Sequence, residues 1–164
     1  MQVDRAHYCP DLSYAYEDSP QSIGHAATIS APHMHASAAE SLLPYLKPGA
    51  RVLDVGSGSG YLTAVLAELV YPQEEDGKGE SRKARVVGLE HIKALRDMGE
   101  GNMKKSERGR QLLAEGRVSF VIGDGRKGWI EGDDGEKGWD AIHVGAAAVE
   151  LHQELVNQLR SPGR

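Results

Sequence analysis

The chain has 164 residues, of which 40% are hydrophobic and 26% charged, with a formal net charge of −5. This is about one domain's length, enough to bury a real core, and the acidic balance argues against generic attachment to nucleic acid or to an anionic membrane surface. No apolar h-region follows Met1 and the lone Cys9 has no internal disulfide partner, so a reducing, cytoplasmic setting is expected.

In chain order, the first unusual stretch is "SPQSIGHAATISAPHMHASAA" at 19–39, which holds no Asp, Glu, Lys or Arg. It is no membrane span, because prolines and three histidines interrupt the apolar residues where a span needs about 20 in near-continuous order. Within it, "SAPHMHASAAESLL" reads as a helix start with Pro32 near the first turn and Ser30 as its N-cap. His25, His33 and His35 invite a metal reading, yet no Cys or carboxylate at matching spacing joins them, so surface or supporting histidines are expected. Asp11, Glu17 and Asp18 read as turn and surface groups.

Next, "ARVLDVGSGSGYLTAVLAELV" is a β-branched run, a glycine turn and an apolar helix with Leu62, Val65, Leu66 and Leu69 on one face. "ARVVGLEHI" at 84–92, "GRVSFVIGDG" at 116–125 and "WDAIHVGAAA" at 139–148 are three further strands, with helix-compatible segments after the second and fourth. The charged tracts at 71–84 and 129–138 read as surface loops, and the basic cluster "KGESRKAR" at 78–85 as a mixed-charge part of the first. Trp129 is expected to anchor a loop and Trp139 to lie in the core. The alternation predicts an α/β fold with a doubly wound, mostly parallel sheet in a single domain over 1–164, in which segment 4–40 precedes a core at 48–160.

In such sheets ligands bind beyond the carboxyl ends of the strands. The first strand ends in Asp54 and the loop Gly56, Ser57, Gly58, Ser59 and Gly60; the second in Glu90; the third in Asp124 and Gly125; the fourth in Gly145. An acid at the end of the second strand suits the two hydroxyls of an adenosine ribose, and a glycine loop admits a ligand to the backbone amides. The G-x-G-x-G pattern and the long gap to Glu90 depart from the dinucleotide fingerprint and suit a nucleoside without phosphates, favouring S-adenosylmethionine over NAD.

Together "DRAHY", "YEDSPQSIGHAATISAPHMHA", "LDVGSGSGYLTA", "VVGLEHIKAL", "GRVSFVIGDGRKG" and "WDAIHVGAAA" resemble the protein-L-isoaspartate (D-aspartate) O-methyltransferase family, in order from Asp4 to about Leu159. The resemblance implies a Rossmann-like class I methyltransferase fold. It also implies methyl transfer from S-adenosyl-L-methionine, leaving S-adenosyl-L-homocysteine, to the α-carboxylate of L-isoaspartyl and D-aspartyl residues. The ester then closes to a succinimide and repair begins. The implied active-site residue is Ser30, with Ala27, Thr28, Ile29, Ser30 and His35 around the cofactor and Ser59, Glu90, His91, Asp124 and Gly125 completing its pocket. The family commonly has Asp where this chain has Glu90. Implied partners are isoaspartyl-containing proteins and peptides, with neither nucleic acid nor membrane, and the full family fold is expected to be a monomer.

The chemistry explains the uncharged stretch. An isoaspartyl carboxylate is ionised at neutral pH, so methyl transfer needs orientation more than a base, and orientation can contribute on the order of 7–11 kcal/mol. A nearby carboxylate would repel the acceptor and a Lys or Arg would blunt it, whereas a hydroxyl does neither. The family also carries a helical segment before "DRAHY" and further strands after "LRSPG". The expectation is therefore a fold truncated after its fourth strand and helix, with "AIHVG" an exposed edge open to self-association. A catalytically weak member that only binds S-adenosylmethionine or protein partners is the alternative.

Overall fold

The structure, a computed structural model, describes residues 3–71, 84–130, 138–148 and 150–161. Most of the two charged tracts read above as surface loops, 72–83 and 131–137, lies outside the described residues.

Four parallel strands form the central sheet: β3 (Arg51–Val55), β4 (Arg85–Glu90), β5 (Val118–Ile122) and β6 (Ala141–Val144). Their spatial order is β5-β4-β3-β6, with Val52 opposite both Val86 and Ala141, and Val86 opposite Val118. The earlier β1 (Gln21–Gly24) and β2 (Ala27–Ile29) form a separate antiparallel hairpin. The helices are α1 (Pro32–Leu42), α2 (Tyr61–Val70), α3 (Lys93–Met103), α4 (Glu107–Ala114) and α5 (Gln153–Asn157). Among the described residues no helix is long and apolar enough to cross a membrane.

Every residue of β3 is buried, as expected of a central parallel strand covered on both faces. The two-residue period sorts its side chains. Val52 joins Val86, Leu66, Met103, Leu112 and Val118 on the α2–α4 side, while Leu53 and Val55 join Val87, Leu89, Trp139 and Leu155 on the α5 side. Trp139 is core, as read from the sequence, and its indole N–H donates to the Trp129 carbonyl at 2.9 Å. Phe120, the one phenylalanine of the chain, fits where side chains are missing. A Cβ at Gly60, Gly88 or Gly99 would meet its ring at 3.1, 2.8 or 2.9 Å.

From β3 the chain winds outward through β4 to β5, then returns to place β6 on the opposite side of β3. The switch point therefore lies at the carboxyl ends of β3 and β6, where such sheets bind ligands. β6 is the edge of the sheet among the described strands, though its start is engaged. Trp139 bridges Leu159 in parallel, with the Trp139 N–H donating to the Gln158 carbonyl at 2.7 Å and the Arg160 N–H to the Trp139 carbonyl at 2.9 Å.

In the N-terminal segment a hairpin precedes the expected helix. His25 and Ala26 both have positive φ, 53° and 56°, making the two-residue turn that matches hairpin twist without the usual Asn or Gly. Ser30 is not the N-cap of α1. Pro32 occupies the first turn, Ala31 is the cap residue in extended conformation, and no side chain of its own serves the helix end. The acceptor comes from Asp18, whose carboxylate takes the His33 N–H at 3.0 Å and the His33 imidazole at 2.8 Å. Asp18 is thus exposed, as expected, but it fastens the loop at residue 18 to α1.

Candidate active site

The glycine loop leaves β3 at the switch point. Gly56 and Gly60 hold φ of 79° and 82°, backbone that L side chains rarely adopt, and a Cβ at Gly56 would press Ala146 at 3.1 Å. The loop is tied down by backbone bonds: Gly56 and Ser57 donate to the Leu89 carbonyl at 2.8 and 3.2 Å. Gly58 donates to Glu90 Oε2 at 3.1 Å, and Asn102 donates to the Ser59 carbonyl at 3.0 Å. The Ser57 hydroxyl is buried and, among the described residues, has no hydrogen-bond partner.

Beneath the loop stands a buried polar pair. Asp54, 1% exposed, accepts from Thr63 Oγ1 at 2.6 Å through one oxygen and meets His143 Nδ1 at 2.9 Å through the other. Burial alone would lower the His143 pKa, but the hydrogen bond to Asp54 and the charge of that carboxylate outweigh it, so the imidazole ends above its ordinary value.

Opposite the loop, the end of β2 and the first turn of α1 supply a second wall, held by a buried arginine. Arg5, 4% exposed, donates from Nε to the Ala15 carbonyl at 2.9 Å and from Nη2 to the Ser30 carbonyl at 2.7 Å. Its Nη1 lies 3.3 Å from His35 Nδ1, and its guanidinium stacks over the Tyr61 ring at 5.2 Å. Burial, then the Arg5 cation, push the His35 pKa down to about 4, which leaves a neutral imidazole whose Nδ1 accepts from the arginine.

Between the walls opens a cavity of about 180 Å³. The structure brings nine of the fifteen active-site and cofactor residues assigned from the sequence to its surface: Thr28, Ile29, Ser30, His35, Asp54, Gly56, Ser57, Gly58 and Ser59. Six others stand outside that lining. Ala27 packs partly into the core, and Gly60 is the N-cap of α2. Glu90 is a layer behind the loop, 4% exposed, with Oε1 accepting from the His91 and Ile92 N–H groups at 2.8 and 3.2 Å. The His91 side chain is largely exposed beside it. Asp124 caps the short 3-10 turn Gly125–Lys127, and hydrogen bonds from the Arg126 side chain and backbone hold its carboxyl down at about 2.

Met34, Leu62, His143, Val144 and Gly145 complete the lining. Of these only Gly145 carried a signal as a strand end. His143 is visible afterwards as the polar residue interrupting "AIHVG", and Arg5 as the one long cation in "DRAHY".

The family profile described as Protein-L-isoaspartate(D-aspartate) O-methyltransferase (PCMT) matches residues 1–164. Protein-L-isoaspartate O-methyltransferase 1 of Arabidopsis thaliana is 46% identical over 162 residues, covering 99% of this chain and 64% of the relative. The protein-L-isoaspartate O-methyltransferase of Triticum aestivum gives the same 46%, 99% and 64%. The chain thus spans somewhat less than two thirds of the length of these relatives. A crystal structure from Plasmodium falciparum, described as a putative protein-L-isoaspartate O-methyltransferase in complex with S-adenosyl-L-homocysteine, superposes with a TM-score of 0.81 at 37% identity. It covers 98% of this chain and 69% of that one. The chain belongs to the protein-L-isoaspartate(D-aspartate) O-methyltransferase family.

Proposed function

We propose that the chain transfers a methyl group from S-adenosyl-L-methionine to the α-carboxylate of L-isoaspartyl and D-aspartyl residues in damaged proteins, the first step of their repair. The observation that carries this reading is the convergence of the 28–30 wall and the 56–59 glycine loop on one cavity. The Ser57 hydroxyl, buried in a loop shaped by missing side chains and without a partner among the described residues, supports a polar ligand there. When bound, the cofactor supplies an electrophilic methyl group.

The residues around the cavity hold, orient and exclude water. We assign the cofactor to the loop from Gly56 to Gly60 together with Ala27, Thr28, Ile29, His35, Asp54, Glu90, His91, Asp124 and Gly125. Glu90 keeps the loop in shape through the Gly58 N–H as well as offering its carboxylate. Ser30 is the active-site residue. Its backbone carbonyl is fixed by Arg5 and its hydroxyl is free of the helix end, so it can orient an acceptor carboxylate without pairing with it. His35, kept neutral, adds no charge to compete for the acceptor. Isoaspartyl-bearing proteins and peptides are the partners. A cytoplasmic setting suits the buried free thiol of Cys9.

The test is labelled methyl transfer from S-adenosylmethionine to an isoaspartyl peptide and to its aspartyl isomer. Transfer to the first alone is expected. Tight cofactor binding with no transfer to either would overturn the reading in favour of a binding protein.

A further inference from the structure

His143 lines the cavity, and the assignments above give it no ligand. Its ring is fixed from behind: Nδ1 meets Asp54 Oδ1 at 2.9 Å, and Asp54 is itself anchored by Thr63 at 2.6 Å. Nε2, on the other side of the ring, has no hydrogen-bond partner among the described residues. Among the described residues, three side chains lining the cavity can carry charge, His35, Asp54 and His143, and no Lys or Arg lines it. His35 receives the Arg5 guanidinium and is held neutral, while both Asp54 oxygens are engaged. Among the described residues lining this space, His143 is the one that can present a charged N–H donor to a ligand.

Resting on the proposed function, in which the acceptor is a carboxylate, we propose that His143 is a substrate-binding residue. Its Nε2–H holds the carboxylate oxygen that is not methylated. A carboxylate brought out of water needs a partner. A bidentate guanidinium would engage both oxygens and blunt the attacking one, whereas one imidazole N–H engages a single oxygen and leaves the other free. The titratable groups facing His143 are Asp54 from β3 and His35 from α1, the latter with Arg5 behind it. Once the ester forms, the acceptor is neutral and the ion pair is lost, which favours product release.

The test measures affinity, in the presence of S-adenosylhomocysteine, for an isoaspartyl peptide and for the same peptide with that carboxyl converted to a carboxamide. Wild type should prefer the carboxylate at least tenfold. His143→Asn keeps an N–H for Asp54 but loses the one facing the cavity; it should bind S-adenosylhomocysteine normally and lose the preference. His143→Gln, which reaches the position of Nε2, should recover part of it. A preference that survives in His143→Asn overturns this inference alone. A His143-dependent preference without methyl transfer by the wild type overturns the functional reading alone, and no peptide binding by the wild type overturns both. Loss of S-adenosylhomocysteine binding in His143→Asn would move the residue to the cofactor side, also against the proposal.

Discussion

Ser30 and Asp18 divide between them two roles that the sequence placed on one residue. Because the cap of α1 comes from Asp18, Ser30→Ala should leave stability and cofactor affinity nearly unchanged while lowering methyl transfer by about a hundredfold, the cost of removing one oriented donor. Steady-state methylation beside calorimetry checks this; normal turnover with a lowered melting temperature would return Ser30 to a structural role. His35 carries a pH signature. It stays neutral in the folded chain down to about pH 4 but takes a proton near 6.5 when unfolded. Its contribution to stability is therefore complete above about 6.5 and is lost as pH falls toward 4. The raised pKa of His143 acts with the opposite sign, favouring the fold at low pH and fading as pH rises through the folded value. Urea midpoints between pH 7 and 4 should fall less steeply in His35→Gln than in wild type, and parallel curves would show that this histidine is not the acid-sensitive group.

At the scale of elements, the clearest test separates the two ends of the N-terminal wall. Asp18→Ala should lower the urea midpoint by removing the side-chain acceptor at the start of α1, and an unchanged midpoint would mean the helix end is served by water. The loop held by Glu90 gives a second. Glu90→Ala leaves the Gly58, His91 and Ile92 N–H groups without their acceptor, so cofactor affinity and stability should drop together, the latter by about 1–3 kcal/mol. Equal affinity in the mutant would remove Glu90 from the cofactor site. The parallel strands were legible because burial on both faces writes near-continuous apolar runs, and the glycine loop because its backbone demands glycine. The β1–β2 hairpin was not, since His25 and Ala26 stand where Asn or Gly would announce the turn. Nor was the cap of α1, which arrives from a residue 15 positions away. His143 and Arg5 escaped notice for a similar reason: their meaning lies in long-range partners, Asp54 in one case and the Ser30 carbonyl in the other.

Across the whole molecule, the cavity joins two parts of unequal depth. β3 and β4 lie in the middle of the sheet, whereas among the described strands the hairpin pairs only with itself and its turn is exposed. Amide exchange should therefore be slowest in β3 and β4 and fastest at 22–28, with added cofactor slowing the hairpin most; uniform protection would argue against a wall that orders on binding. The fit of Phe120 against Gly60, Gly88 and Gly99 bears on how sequences of this kind diverge. Enlarging either Gly88 or Gly99 first drives a methyl into the ring, at 2.8 and 2.9 Å, and shrinking the ring first leaves a hole. Phe120→Leu and Gly88→Ala should each destabilise alone yet together cost less than their sum. Gly60 has no such escape, because its φ of 82° and the Gly99 backbone 2.9 Å away forbid a side chain whatever stands at 120. Evolution can trade the ring for a methyl by paired steps across β4, α3 and β5, but the glycine that opens α2 has no substitute to trade for.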